Sequence, residues 1–445
     1  MGHRQRWWTM FESEVQIRVM EKLFKALEQS PINDYKIKIV NSNSSELFYV
    51  GNKLETNRHT NLQTTEVTIY IDEDGKRGNA SFVYHDYMDI EEIKKVIEDK
   101  IFAAKFALNE FYEIPSKNEE IVSKNPSNFE NQSLDEVAKK VAIALFKADH
   151  YDGGFLSATE IFISKKHTRI INSRGIDVSE DSYEGYVELI PSWSNGEEEV
   201  ETYNSFTFSN LDEEDITRRC DELLLLTKAR IEAVPFKSDK PINVIIEDEG
   251  VPSIFSFFVR DLSYNSKYQH MSRFEIGQNV QGDDVKGSLL NIDLLPNYVG
   301  ASNSHSFDND GVILKPISII KDGIALARHG SYQFGYYLKE NNPTGVLPIV
   351  KVKTGEKTLE DNKNAPYVRC CKFSSFQLEG NSGYFGGEVR LGFYFDGEKE
   401  IPVTGFSIAG SLHELKGNIV CSKEKIVSSR YVGPKYLFIK GMSIV

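Results

Sequence analysis

Val15, Val19, Leu23 and Leu27 recur every four residues between positions 11 and 29, and Ser30-Pro31 follows. That spacing predicts an amphipathic helix, stopped by a proline that disfavours helical backbone in the residue before it. The pattern then shifts to strands over 36–40 and 46–50, a polar stretch over 57–63, and strands over 67–71 and 80–84 around the turn Asp72-Glu73-Asp74-Gly75. Asp89, with Glu92 three residues on, reads as a capping box that opens a second helix.

The same order recurs downstream. An amphipathic helix over 134–147 precedes Glu160-Ile161-Phe162-Ile163, which holds the place of Glu46-Leu47-Phe48-Tyr49 in the first pass. Asn172-Ser173-Arg174-Gly175, an alternating stretch over 185–191, the turn Ser194-Asn195-Gly196, a return strand over 200–208 and a helix over 212–232 complete it. Beyond Pro235 the texture changes to a buried-type strand at 242–246, a short apolar helix at 251–262, and then strands near 288–294, 311–320, 346–352, 389–395 and 401–409. The fold class expected is α+β. Two similar helix–strands–hairpin–helix units (1–115 and 133–235), joined by a polar linker (116–132), precede a mostly β C-terminal domain (236–445) with one closed or sandwiched sheet system.

Charge narrows the function. Lys plus Arg number 52 against 66 Asp plus Glu, a formal net charge of −14, which argues against direct binding of nucleic acid or anionic lipid. No run of apolar residues is long enough to span a bilayer. The cysteines Cys220, Cys370, Cys371 and Cys421 form no Cys-x-x-Cys pair, so a reduced, cytoplasmic protein is expected.

Single motifs mostly favour bland readings. His413-Glu414 starts like a zinc-binding His-Glu-x-x-His, but Gly417 stands where the second histidine belongs. Asp308-Asn309-Asp310-Gly311 opens like a calcium loop, yet its twelfth position is Ile319 instead of a bidentate glutamate, so a turn is the better reading. His305 near Asp308 is a candidate base. Cys370-Cys371 lies in a strand-like stretch and reads as buried thiols. The glycine-rich stretch 380–387 completes no phosphate loop and reads as a loop of the β domain.

Taken in order, four segments resemble the TldD/PmbA family of metallopeptidase-related proteins, also described as modulators of DNA gyrase. They are Ile171-Asn172-Ser173-Arg174-Gly175, the run 306–311 with Ile319-Ile320-Lys321-Asp322-Gly323 after it, the run 380–395, and Val403-Thr404-Gly405-Phe406 through Ser411-Leu412. TldD-type members of that family carry His-Glu-x-x-x-His on the first helix of the third domain, with a later cysteine as a zinc ligand. PmbA-type members, also called TldE, lack this motif and pair with a TldD-type subunit. Here the equivalent helix, 251–262, puts Ser256, Phe257 and Asp261 at the ligand and general-base positions. The resemblance therefore implies a PmbA/TldE-like, non-catalytic subunit of a zinc-dependent peptidase that acts on unfolded peptides, with no catalytic residue, metal or cofactor of its own. Zinc is expected in a TldD-like partner. A dimer with an internal cavity is implied, and Asn172, Ser173, His305, Asp308 and Asp310 are the candidates for facing peptide or partner. The alternatives are a homodimeric peptide-binding scaffold and an enzyme with a rebuilt Cys/His site.

Overall fold

A computed structural model describes residues 20–116, 122–125, 127–247 and 249–445. The start of the helix expected from position 11 and part of the 116–132 linker lie outside these residues. The first unit comprises α1 (20–29), β1 (Asp34–Val50), β2 (Lys53–Glu73), β3 (Lys76–Tyr84) and α2 (Ile90–Ala104). The second comprises α3 (Leu134–Lys147), β4 (Gly154–Asn172), β5 (Asp177–Ser194), β6 (Asn204–Phe208) and α4 (Glu213–Ile231).

These units share one sheet. β1 and β4 pair antiparallel from Lys36 opposite Asn172 to Val50 opposite Ala158, so nine strands run through both units. The two look-alike quartets face each other there, Leu47 opposite Ile161 and Glu46 opposite Phe162. Two expectations change. The separate strands at 36–40 and 46–50 are one strand, and the polar stretch 57–63 lies inside β2. Those polar residues are nearly all exposed, so no buried face imposes alternation; backbone pairing to β1 alone makes them a strand.

Side chains alternate across the sheet, and one face carries all four helices. Leu23 and Leu27 of α1 and Ile93 and Ile97 of α2 pack on Ile37, Val67 and Ile69. Val137, Val141 and Leu145 of α3 and Cys220 and Leu224 of α4 pack on Ile161, Ile163, Val187 and Leu189. Each fully buried Ile, Leu or Val is worth about 1.5–3 kcal/mol of transfer free energy, which makes this layer the main stabilising element of the N-terminal half. The capping box forms as expected: Asp89 accepts from the N–H groups of Glu91 and Glu92, and Glu92 accepts from that of Asp89, each at 2.9 Å.

The C-terminal domain holds an eight-stranded and a six-stranded sheet around one apolar core. In the larger, β7 (Ile242–Ile246) lies between β8 (Tyr367–Leu378), which is parallel to it, and β10 (Leu437–Met442), which is antiparallel. β9 (Tyr384–Phe395) pairs with β8 on its other side. The glycine-rich stretch expected as a loop thus enters a strand at Tyr384. The strand expected over 311–320 is only Ile317–Lys321, because Gly311 sits at φ +80° and Pro316 has no N–H for a ladder. Gly405, at φ +74°, divides the stretch 401–409 between two strands. α5 (Gly250–Asp261) fills the core with Ile254, Phe255, Phe257 and Phe258.

A buried ion cluster closes the lower end of the large sheet. Asp34, at the start of β1, accepts from Arg77 of β3 (2.8 Å), from the Ser173 hydroxyl (2.7 Å) and from Arg174 (3.1 Å) in the β4–β5 turn. Arg77 is 1% exposed and also donates to Asp72 at 2.6 Å. Burial alone would raise the Asp34 carboxyl; the hydrogen bonds from Arg174 and Ser173 and the charge of Arg77 hold it below the ordinary range. Asp34→Ala leaves a buried guanidinium short of its partner and should cost about 3–5 kcal/mol in urea denaturation. A lowered native pKa stabilises the fold above the unfolded value and ceases to do so as pH falls through the native one. The stability gap between wild type and Asp34→Asn should therefore hold at neutral pH and close below about pH 4; a gap independent of pH would refute the ionic role.

Candidate functional site

On α5, Ser256 is exposed and donates to the Ser253 carbonyl at 2.6 Å. Phe257 is 1% exposed and stands edge-on to Phe258, Phe274 and His413, with ring centroids 5.3, 6.1 and 6.0 Å away. Asp261 is 4% exposed and accepts from the backbone N–H groups of Arg273 and Phe274, each at 3.0 Å, and from the Ser272 hydroxyl at 3.2 Å. The helix turn thus aims the three positions at solvent, core and neighbouring backbone respectively.

A guanidinium gathers this region. Arg273 lies over the Phe257 ring at 4.8 Å, donates to the Gly380 carbonyl at 2.6 Å, meets His413 Nε2 at 3.0 Å and places Nε 3.4 Å from Asp261. It ties α5, the 379–383 turn and the short helix Leu412–Leu415 together. Zinc takes four nitrogen, sulfur or oxygen ligands. Here the His413 imidazole is engaged by a cation, the His329 imidazole by the Val259 carbonyl at 2.8 Å and the Asp261 carboxylate by backbone N–H groups, and Phe257 has no donor atom, so the residues do not fit a zinc ion. Among the described residues no three His, Cys, Asp or Glu side chains are grouped to hold a metal. The role of Arg273 and the position of His413 beside α5 were invisible in sequence, because the pattern within α5 does not show what packs on it, and His413 comes from a segment remote in the chain.

The other five candidates lie along a seam where the N-terminal sheet meets the third domain, and of these His305 and Asp310 bond across it. Asn172 shapes the β4–β5 turn: its side-chain oxygen accepts from Arg174 and Ile176 N–H, each at 3.0 Å, and its amide donates to Pro115 at 2.7 Å. Ser173 joins the Asp34 cluster. From the third domain, Asp310 pairs with Lys36 at 2.6 Å, and His305 Nδ1 lies 2.9 Å from Glu180, which is 2% exposed. Asp308 accepts from the N–H groups of Asp310, Val312 and Val346 at 2.9, 3.1 and 3.0 Å, the turn geometry expected. Burial, with the charge of Asp310 adding, pushes its carboxyl up to about 6 against the pull of those donors. Gly311 is required at the seam: a Cβ there would lie 2.5 Å from Ile176. Phe307 packs on Ile170, Ile176 and Val178 beside it.

All four cysteines are free and buried. Burial pushes Cys220 and Cys421 up to about 12 and Cys370 and Cys371 higher, so each stays a thiol at neutral pH. Among the described residues no helix is long and apolar enough to cross a membrane.

Residues 239–445 match the PmbA/TldA metallopeptidase C-terminal domain. The whole chain superposes on TldE from Thermococcus kodakarensis with a TM-score of 0.76 at 16% identity, covering 96% of this chain and 100% of that one. Two proteins named for modulation of DNA gyrase are also similar. One, from Thermotoga maritima, has a TM-score of 0.73 at 17% identity, covering 97% and 100% of the two chains. The other, from Bacteroides thetaiotaomicron, has a TM-score of 0.74 at 15% identity, covering 97% and 98%. Comparison with curated proteins gives no match. At these identities the superpositions establish the fold, which is that of TldE, and residues 239–445 are similar to the PmbA/TldA metallopeptidase C-terminal domain.

Proposed function

We propose that this chain is a non-catalytic, PmbA/TldE-type subunit that pairs with a zinc-bearing TldD-type subunit in the cytoplasm and helps enclose an unfolded peptide for cleavage. The observation that carries this reading is α5, where an aromatic core and the Arg273 guanidinium occupy the region that catalytic relatives would use for metal. A metallopeptidase needs a metal-bound water of lowered pKa and a carboxylate to take its proton. Phe257 can do neither, and the buried cysteines provide no replacement nucleophile.

Two surfaces support the subunit role. β3 pairs with β2 only from Thr65 to Glu73, so the outer edge of β2 over 53–64 has no strand partner among the described residues. Such an edge offers free N–H and C=O groups to an extended peptide. On the C-terminal domain, a shallow groove of about 800 Å³ follows the level strip Gln377, Gly386 and Ala409, flanked by Glu388 and by Tyr384, which is 65% exposed. A flat sheet face bordered by an exposed tyrosine suits a subunit contact.

Affinity purification of the tagged chain from its native cells tests the reading. The expected eluate contains an equimolar partner bearing His-Glu-x-x-x-His and about one zinc per pair. A homodimer that holds zinc with no partner would overturn it, and a zinc-free homodimer would favour a scaffold. A second test separates fold from chemistry at Asp261. Asp261→Ala should lower stability by roughly 1–3 kcal/mol by unpairing buried N–H groups. Turnover per assembled pair should be unchanged; a large loss of turnover with normal assembly contradicts the non-catalytic assignment.

A further inference from the structure

Because Leu47, Ile161, Ile163, Val187 and Leu189 face the helices, their alternates face away, on the open side of the large sheet. The registers align those alternates in rows across five strands. One row runs Thr56, Phe48, Glu160, Glu188, Ser205. The next runs Arg58, Glu46, Phe162, Tyr186, Thr207. Phe48 and Phe162 meet edge-on at 5.5 Å, and Phe162 meets Tyr186 at 5.8 Å, giving a continuous aromatic floor between the rows.

The charges on this floor do not balance locally. Arg58 pairs with Glu46 and lies over Phe48, and Lys166, two rows further, pairs with Glu184. Glu160 and Glu188, by contrast, stand directly opposite one another on β4 and β5 with no cation paired to either among the described residues. Glu188 accepts from the Tyr186 hydroxyl at 2.9 Å, and Glu160 makes no side-chain bond within the described chain. Like charges in directly opposed positions destabilise a sheet, and both residues are partly buried, which strengthens the repulsion. Two carboxylates without a third acidic, histidine or cysteine neighbour do not form a metal group among the described residues.

We propose that this face docks an extended, basic polypeptide, with a lysine or arginine side chain seated between Glu160 and Glu188 on the ring faces of Phe48, Phe162 and Tyr186. The occupant follows from charge complementarity. A long basic side chain lays its methylenes on the aromatic floor, gains from the ring quadrupoles, and carries a donor-only head that both carboxylates accept. The inference rests on the peptide-enclosing role proposed above and adds a preference to it: peptides rich in lysine or arginine are held over neutral or acidic ones.

Fluorescence anisotropy on the full chain tests this with a labelled, disordered twelve-residue peptide of alternating lysine and serine and its Nε-acetylated copy. The lysine peptide should bind about tenfold more tightly than the acetylated one, with an affinity that falls as salt rises. Glu160→Gln with Glu188→Gln should abolish that difference while raising the melting temperature of the free protein, since relieving the repulsion stabilises it. A merely structural pair would instead lose stability. Equal binding of both peptides to wild type overturns this inference alone. Absence of binding by either overturns the peptide-enclosing role and this inference with it. A preference that survives the double substitution overturns the assignment to these two carboxylates.

Discussion

The antiparallel pairing of β1 with β4 turns two units into one sheet, and its register decides what each face presents. With Leu47 set opposite Ile161, apolar alternates from both units fall on the helix side and join one buried layer. A slip of one residue would turn β1 over against β4, setting Glu46 and Phe48 on the helix side and Leu47 on the open side. The register is pinned at its lower end by Asp34, which holds β3 through Arg77 and the β4–β5 turn through Ser173 and Arg174. The same end carries Lys36 and Glu180 against the 305–311 loop, so sheet register and third-domain docking depend on one set of bonds.

In the C-terminal domain the governing constraint is apolar. α5 sits inside a core shared by two sheets, and its phenylalanines touch both. A helix built to hold metal must turn donors inward and keep a path to solvent. This one turns Phe257 inward, and Arg273 spans the surrounding segments with a cation supplied by the chain itself. A guanidinium satisfied by a carboxylate, an imidazole, a carbonyl and a ring face cross-links four segments much as a structural ion would. It has no vacant position at which to activate water.

Periodicity made the helices, the capping box at Asp89 and the repeated order of elements legible, because each rests on neighbours in sequence. It failed at 57–63, where β2 buries little and polar residues carry no alternation, and at 311–316, where Gly311 and Pro316 defeat a β-branched stretch. The residues of α5 were legible as a departure from a metal motif. Their partners were not, since Arg273 and His413 arrive from 140 positions apart. The candidates at 172–173 and 305–310 do converge in space, yet in this chain their polar groups bond across an internal seam. Sequence marks such turn-forming residues without showing which surface they close.

Where the chain tolerates local conflict is informative. The seam resolves its charges: Asp310 has Lys36, Glu180 has His305 and backbone N–H, and Asp34 has two arginines. The α5 region resolves them through Arg273. On the open sheet face Glu160 and Glu188 stand opposed without a counter-charge among the described residues. Two opposed carboxylates left unpaired on an aromatic floor depart from the consistency that folding alone favours. Stability would be served by a glutamine or threonine at either position, and the proposed basic peptide would supply the counter-charge the pair lacks. The proposed peptide contact thus lies on the N-terminal sheet, and the proposed subunit contact on the C-terminal domain.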